Sequence, residues 1–155
     1  MSPSPPGKVE VNSLVVGTDV SETAALAVRE AADIARSLGA HVHIVSVYQP
    51  LSGVRVAGAA SEPERTEWAV GPSSGVQSLL EEVAGMVRAR GVEVSTYARK
   101  GDPAEAILDV AEEQGAELIV VGNRGMQGAK RFLLGSVPDK VSHHAHCSVL
   151  IVRTS

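Results

Sequence analysis

Apolar residues recur along this chain in two rhythms. Short runs of aliphatic and β-branched residues alternate with longer segments whose apolar positions step by three and four. Leu14-Val15-Val16, inside Val11–Thr18, reads as a buried first strand that ends at Gly17. Ser21 can cap a helix opening at Glu22, and Ala25, Val28, Ala32, Ala35 and Leu38 give it one apolar face before Gly39 stops it. His41–Tyr48 reads as a second strand, with His41 and His43 expected at an edge or on the surface. Gln49–Ser74 changes character: Pro50, Gly53, Gly58, Pro63, Gly71 and Pro72 make it a long loop, with a short helical piece around Glu62–Trp68. Leu79, Leu80, Val83, Met86 and Val87 then predict a helix over Gly75–Arg90, ended by Gly91, and Val92–Arg99 alternates as a third strand. At Gly101-Asp102-Pro103 the chain turns into another helix. Asp102 suits its cap, Pro103 its first position, and Ala106, Ile107, Val110 and Ala111 its apolar face. After Gly115 come a fourth strand, Glu117–Val121, a glycine-rich loop, a short helix from about Pro138 to His144, and a last strand, Ser148–Val152.

Strands and helices in strict alternation predict an α/β fold: a single-domain, open, parallel five-stranded sheet with helices on both faces, Rossmann-like. Residues 1–10 are expected to be a disordered tail, and residues 11–155 the domain. In such sheets a ligand sits beyond the carboxyl ends of the strands, where strand order reverses. The segments after strands one and four, Gly17-Thr18-Asp19 and Gly122 to Gly135, are the candidates to meet there.

Composition narrows the function classes. The formal net charge of -4 gives no support to a nucleic-acid surface. No apolar stretch approaches the ~20 residues that span a bilayer. Met1–Gly7 lacks the charged and apolar regions of a secretory signal, and Cys147, the single cysteine, suits a reducing compartment; a cytoplasmic location is expected. Cys147 reads as an inert small hydrophobe. His143, His144 and His146 flank it, but their spacing matches no zinc pattern, and no metal site is expected among them.

The chemistry concentrates in the loop Gly122-Asn123-Arg124-Gly125-Met126-Gln127-Gly128-Ala129-Lys130-Arg131-Phe132-Leu133-Leu134-Gly135-Ser136-Val137. It leaves an apolar strand and ends at a helix N-terminus. Glycine lets the backbone approach a ligand, and free N–H groups at a helix start favour an anion. The spacing, Gly-x2-Gly-x9-Gly-Ser, is neither a Walker A nor a dinucleotide fingerprint. Lys130 and Arg131 are expected to face solvent. Asp19 suits a turn or cap and equally a ligand role, towards ribose or a Mg2+ ion on phosphates. Trp68 has two readings, covering the site or packing on a partner subunit.

Taken together, Val15-Val16-Gly17-Thr18-Asp19, Val45-Ser46-Val47-Tyr48, Gly101-Asp102-Pro103-Ala104, Val120-Val121-Gly122-Asn123-Arg124-Gly125, Leu134-Gly135-Ser136-Val137 and Cys147-Ser148-Val149-Leu150-Ile151-Val152-Arg153 resemble the universal stress protein family, ATP-binding subclass. The resemblance covers Ser13 to Arg153. It implies that Gly122, Gly125, Gly135, Ser136 and Val137 hold phosphates and ribose. It further implies that Thr18 and Asp19 lie beside the nucleotide, and that the backbone near Val47 pairs with adenine. It also implies a homodimer, formed through Val149–Val152. Asn123 stands where Ser or Thr is frequent and Ser148 where Pro is frequent; Asn123 retains the capacity to hydrogen-bond ribose or phosphate.

The function expected is therefore a dimeric regulator or sensor in stress response that binds ATP or another adenine nucleotide, with Mg2+ where the phosphates need it. No base and nucleophile are placed together in sequence, so an enzyme is not expected. The alternatives are a slow ATPase, and a dimeric interaction module whose ligand is cyclic AMP or AMP.

Overall fold

A computed structural model describes residues 10–19, 22–48, 72–123 and 135–154. The alternation is realised as β1 (Ser13–Gly17), α1 (Glu22–Leu38), β2 (His41–Tyr48), α2 (Pro72–Arg88), β3 (Val94–Lys100), α3 (Pro103–Glu113), β4 (Leu118–Gly122), α4 (Ser136–His144) and β5 (Ser148–Val152). The strands form one parallel sheet in the order β3-β2-β1-β4-β5. Growth from β1 runs one way through β2 to β3. The chain then crosses back to β4 and continues the other way to β5.

That reversal distributes the helices. A right-handed crossover puts connecting helices on opposite faces when the direction of travel reverses. Two separate apolar clusters result. Leu14, Val16, Val42, Ile44 and Val120 meet Ala31, Ala32 and Ala35 of α1 and Leu80 and Val87 of α2 on one face. Val15, Val45, Ile119 and Val121 meet Ile107, Val110 and Ala111 of α3 and Val141 of α4 on the other. Neighbouring residues of each inner strand are thus buried on opposite faces, as a sheet covered on both sides requires.

The lower ends of β1 and β4 are clamped together. Glu117 Oε1 accepts hydrogen bonds from the N–H groups of Asn12 (2.9 Å) and Ser13 (3.1 Å), and the Glu117 N–H donates to the Ser13 carbonyl at 2.9 Å. At α3 the cap expected from the sequence is present: Asp102 is extended (φ -77, ψ 129) and its Oδ2 accepts from Glu105 N at 2.9 Å.

Several boundaries differ from the sequence reading. Helix α2 begins at Pro72, not Gly75, because proline is at home in a first turn and glycine alone does not set a start. It ends at Arg88, with Gly91 in the left-handed region (φ 82) completing the turn. The tail 1–9, most of the long loop with its helical piece at Glu62–Trp68, and Trp68 itself lie outside the described residues.

The histidines of β2 also differ. β2 lies between β1 and β3, so neither sits at an edge. His43 is only 6% exposed, stacks on the half-buried His41 at 4.5 Å, and shares a 2.9 Å hydrogen bond with Tyr97 Oη. His41 Nε2 lies 2.8 Å from Ser95 Oγ, and Arg99 covers the Tyr97 ring while pairing with Glu113 of α3. The periodic pattern missed this seam because imidazole, hydroxyl and phenol satisfy one another across adjacent strands, which removes the usual cost of burying them.

Burial, helped by the neighbouring His41, lowers the His43 pKa from 6.5 to about 4. Between these values the unfolded chain carries a proton that the folded chain refuses. Stability is therefore complete above about pH 6.5 and falls as pH drops towards 4, by roughly 3 kcal/mol in all for a shift of this size. Urea unfolding at a series of pH values should show this acid loss. His43→Gln should flatten it, the two proteins converging as pH falls; parallel profiles would remove His43 as the cause.

Candidate functional site

β1 and β4 are hydrogen-bonded parallel neighbours, with Val16 opposite Val120, so their carboxyl ends open side by side. Their continuations diverge, one into α1 and the other towards α4, on opposite faces of the sheet. This is the crevice expected at a reversal of strand order. Thr18 and Asp19 lie at its rim beyond β1. Thr18 is almost buried and its N–H donates to the Val45 carbonyl at 2.9 Å; Asp19 is exposed.

Val47 is brought to the same place by register. β2 outruns β1: Gly17 is opposite Val45, and β2 continues through Val47 to Tyr48 against β3 alone. The Val45 carbonyl points towards β1, where it accepts from Thr18, and the Tyr48 carbonyl points towards β3, where it accepts from Gly101 N at 3.3 Å. Peptide groups alternate sides along a strand. Those of Val47 therefore point like those of Val45, into the gap left where β1 has ended. Its side chain packs on the α3–α4 face of the core.

From the other side comes the N-terminus of α4. Gly135 is its N-cap, with φ -65 and ψ 164, and the first intrahelical bond is Asp139 N–H to the Gly135 carbonyl at 3.0 Å. Pro138 has no N–H, so the first-turn donors are Ser136 and Val137. Gly135 is buried and supplies no side-chain cap to this end. Its φ is ordinary for any residue, so backbone freedom does not call for glycine here. Lys140 of α4 reaches Glu105 (3.3 Å) and Asp102 (3.4 Å), fixing α4 against the start of α3. The hydrogen bond to Glu105 first, then that to Asp102, raises the Lys140 pKa. The Glu105 N–H, with Lys140 behind it, keeps the Asp102 carboxyl low.

The head of the glycine loop is packed against the extension of β5. Gly122 is the last residue of β4, opposite Val152 of β5. A Cβ there would meet Thr154 Cγ2 at 3.1 Å, so close packing of the β5 extension explains this glycine. Asn123 follows, with its N–H on the Val152 carbonyl (2.9 Å) and its Oδ1 accepting from Thr154 N (2.9 Å) and Thr154 Oγ1 (3.2 Å). Its side-chain oxygen is thus committed to Thr154. Thr154, absent from the sequence reading, is 7% exposed; its only signal there was a polar residue just past an apolar strand. Gly125, Lys130 and Arg131 lie outside the described residues.

Away from this crevice, a cavity of about 330 Å³ runs between α1 and α2 and touches the site only at Thr18. No cluster of three or more potential metal ligands occurs among the described residues, and no described helix is long and apolar enough to cross a membrane. Cys147 is partly buried and burial pushes its thiol pKa up, which suits an unreactive side chain.

An open parallel sheet whose strand order reverses between β1 and β4, with helices on both faces, defines a doubly wound α/β protein. The chain belongs to the universal stress protein family, whose model matches residues 10–153. It is 35% identical over 144 residues to a universal stress protein of Mycobacterium tuberculosis, covering 92% of this chain and 97% of that one. A relative from Methanocaldococcus jannaschii is 34% identical over 145 residues, covering 90% and 81%. Among solved structures, a universal stress protein in complex with cAMP matches with 31% identity and a TM-score of 0.70, over 95% of this chain and all of that one. One from Archaeoglobus fulgidus in complex with dAMP matches with 25% identity and a TM-score of 0.62, over 93% and 99%.

Gly17 links site and core. A Cβ at this position would collide with the Ile107 side chain of α3. Gly17→Ala should destabilise the protein by about 1–3 kcal/mol as an overpacked core residue. Ile107→Val, by shortening the side chain it strikes, should recover part of that loss in the double variant. Additive losses in denaturant titrations would show that the two residues do not collide.

Proposed function

We propose that this protein binds an adenine nucleotide at the β1–β4 reversal and acts as a dimeric, non-enzymatic regulator in the cytoplasm. One observation carries the nucleotide reading: the peptide groups of Val47 and the N-terminus of α4 stand at the same end of the sheet, on either side of the crevice. The first offers an N–H and a C=O to a base edge. The second offers first-turn N–H groups at Ser136 and Val137 to a phosphate. The similar proteins solved with cAMP and dAMP support an adenine nucleotide as the ligand class. ATP is the ligand we favour within that class. The carboxylate of Asp19, exposed at the rim, is the group that would face a Mg2+ ion accompanying a polyphosphate.

Adenine presents an acceptor beside a donor on its pairing edge, and guanine presents the reverse. A backbone N–H and C=O therefore select one over the other without any side chain. Calorimetric titration should show ATP binding at least tenfold more tightly than GTP, about 1.4 kcal/mol. Val47→Ala should change this little, whereas Gly135→Ala should weaken ATP by a similar tenfold. Equal affinities for ATP and GTP would move the base elsewhere. Parallel titrations with AMP and cyclic AMP, with and without Mg2+, rank the ligands.

The assembly rests on β5. It is the last strand of the sheet and pairs with β4 along one edge only. Its other edge is a template for a second copy, and a twofold axis would make that contact self-complementary. Val149 and Ile151 pack on one core cluster and Leu150 and Val152 on the other, so the side chains also serve the monomer. Sedimentation should give a dimer at micromolar concentration. Leu150→Arg should shift it to monomer while circular dichroism remains that of a folded chain; a wild-type monomer would overturn the assembly.

A further inference from the structure

Asn123 opens the glycine loop, and its position invites assignment as a ligand contact. The geometry points elsewhere. Three hydrogen bonds fasten this residue to the end of β5 and the segment just after it: its N–H donates to the Val152 carbonyl, and its Oδ1 accepts from both the N–H and the hydroxyl of Thr154. Thr154 is almost buried, and its methyl side lies so close to Gly122 that a Cβ there would touch it at 3.1 Å. β4 and β5 are in register up to Gly122 and Val152. The Asn123–Thr154 pair therefore extends the pairing past the ladder and fixes the end of β4. An Asn at this point has an acceptor that reaches two donors on the neighbouring segment at once, and both donors belong to one residue.

We infer that Asn123 is a positioning residue, and that Thr154, remote in sequence from every motif of the site, is its partner. Together they hold the carboxyl end of β4, which borders the crevice, and so serve the phosphate half of the site. This inference rests on the nucleotide reading above. Its consequence is selective. The base is read at Val47 on β2, on the far side of β1, and the pair does not reach it. Disturbing the pair should therefore weaken the grip on phosphate and leave the grip on the nucleoside alone. A general loss of stability would weaken both.

The test uses calorimetry on the full chain with ATP and with adenosine, alongside thermal unfolding. Thr154→Val removes the hydroxyl donor and keeps the shape; Asn123→Ala removes the acceptor. Each should weaken ATP about three- to tenfold and leave adenosine unchanged. Because both act through one contact, the double variant should lose little more than Asn123→Ala alone. Thr154→Ser, which retains both donors, should restore ATP binding. If Asn123→Ala weakens ATP while Thr154→Val does not, Asn123 touches the ligand directly and the inference fails. Equal losses for ATP and adenosine, or no rescue by serine, overturn it as well. A wild-type chain that binds no ATP would instead defeat the nucleotide reading on which it stands.

Discussion

β1 is the one strand of this sheet with a neighbour inside the sheet on each side that runs away from it in chain order. Its pairing with β4 obliges the chain to reverse its direction of growth, and the reversal obliges the helices to divide between two faces. The crevice is the necessary by-product, because two connections leaving adjacent strand ends for opposite faces cannot fill the space between them. The clamp at Glu117 holds the opposite ends of the same two strands. The crevice therefore opens at the ends of β1 and β4 opposite to that clamp.

The second face of the sheet is not uniformly apolar. His41, His43, Ser95 and Tyr97 form a polar seam across β2 and β3, continued by Arg99 to Glu113 of α3. Helix α3 leans mainly on β1 and β2, so the β3 side of this face is only half covered, and every side chain of β3 is partly exposed. Polar groups there can satisfy one another and still reach water. The seam makes the sheet sensitive to acid through His43, and its Arg99 end stands opposite Val47 in the register of β2 and β3.

Much of this was legible in the sequence. Buried strands with no polar residue, such as Leu14-Val15-Val16, announce a sheet covered on both faces, and the cap at Asp102 before Pro103 is a local signal with a local cause. The adjacency of β1 and β4 is not written in any one segment and comes from the topology. What the sequence did not reveal depends on contacts between distant positions. The burial of His43 is decided by its partner on β3, and the role of Asn123 by a threonine thirty-one positions later. Gly122 makes room for Thr154 and Gly135 stands at the N-cap of α4, duties that their shared motif does not name. Motif spacing marks the residues and does not separate those duties.

The overhang of β2 beyond β1 has a thermodynamic consequence. A strand end that projects a peptide group past its neighbour cannot be left dry, since an N–H and a C=O removed from water without partners each cost on the order of 1–3 kcal/mol. Whatever occupies the space beside Val47 must therefore bring both a donor and an acceptor, spaced as a peptide spaces them. Water can do this, and so can a planar heterocycle, but a purely aliphatic occupant cannot. The topology thus filters ligands by polarity before any side chain is consulted, and the filter survives every substitution at position 47 except one to proline.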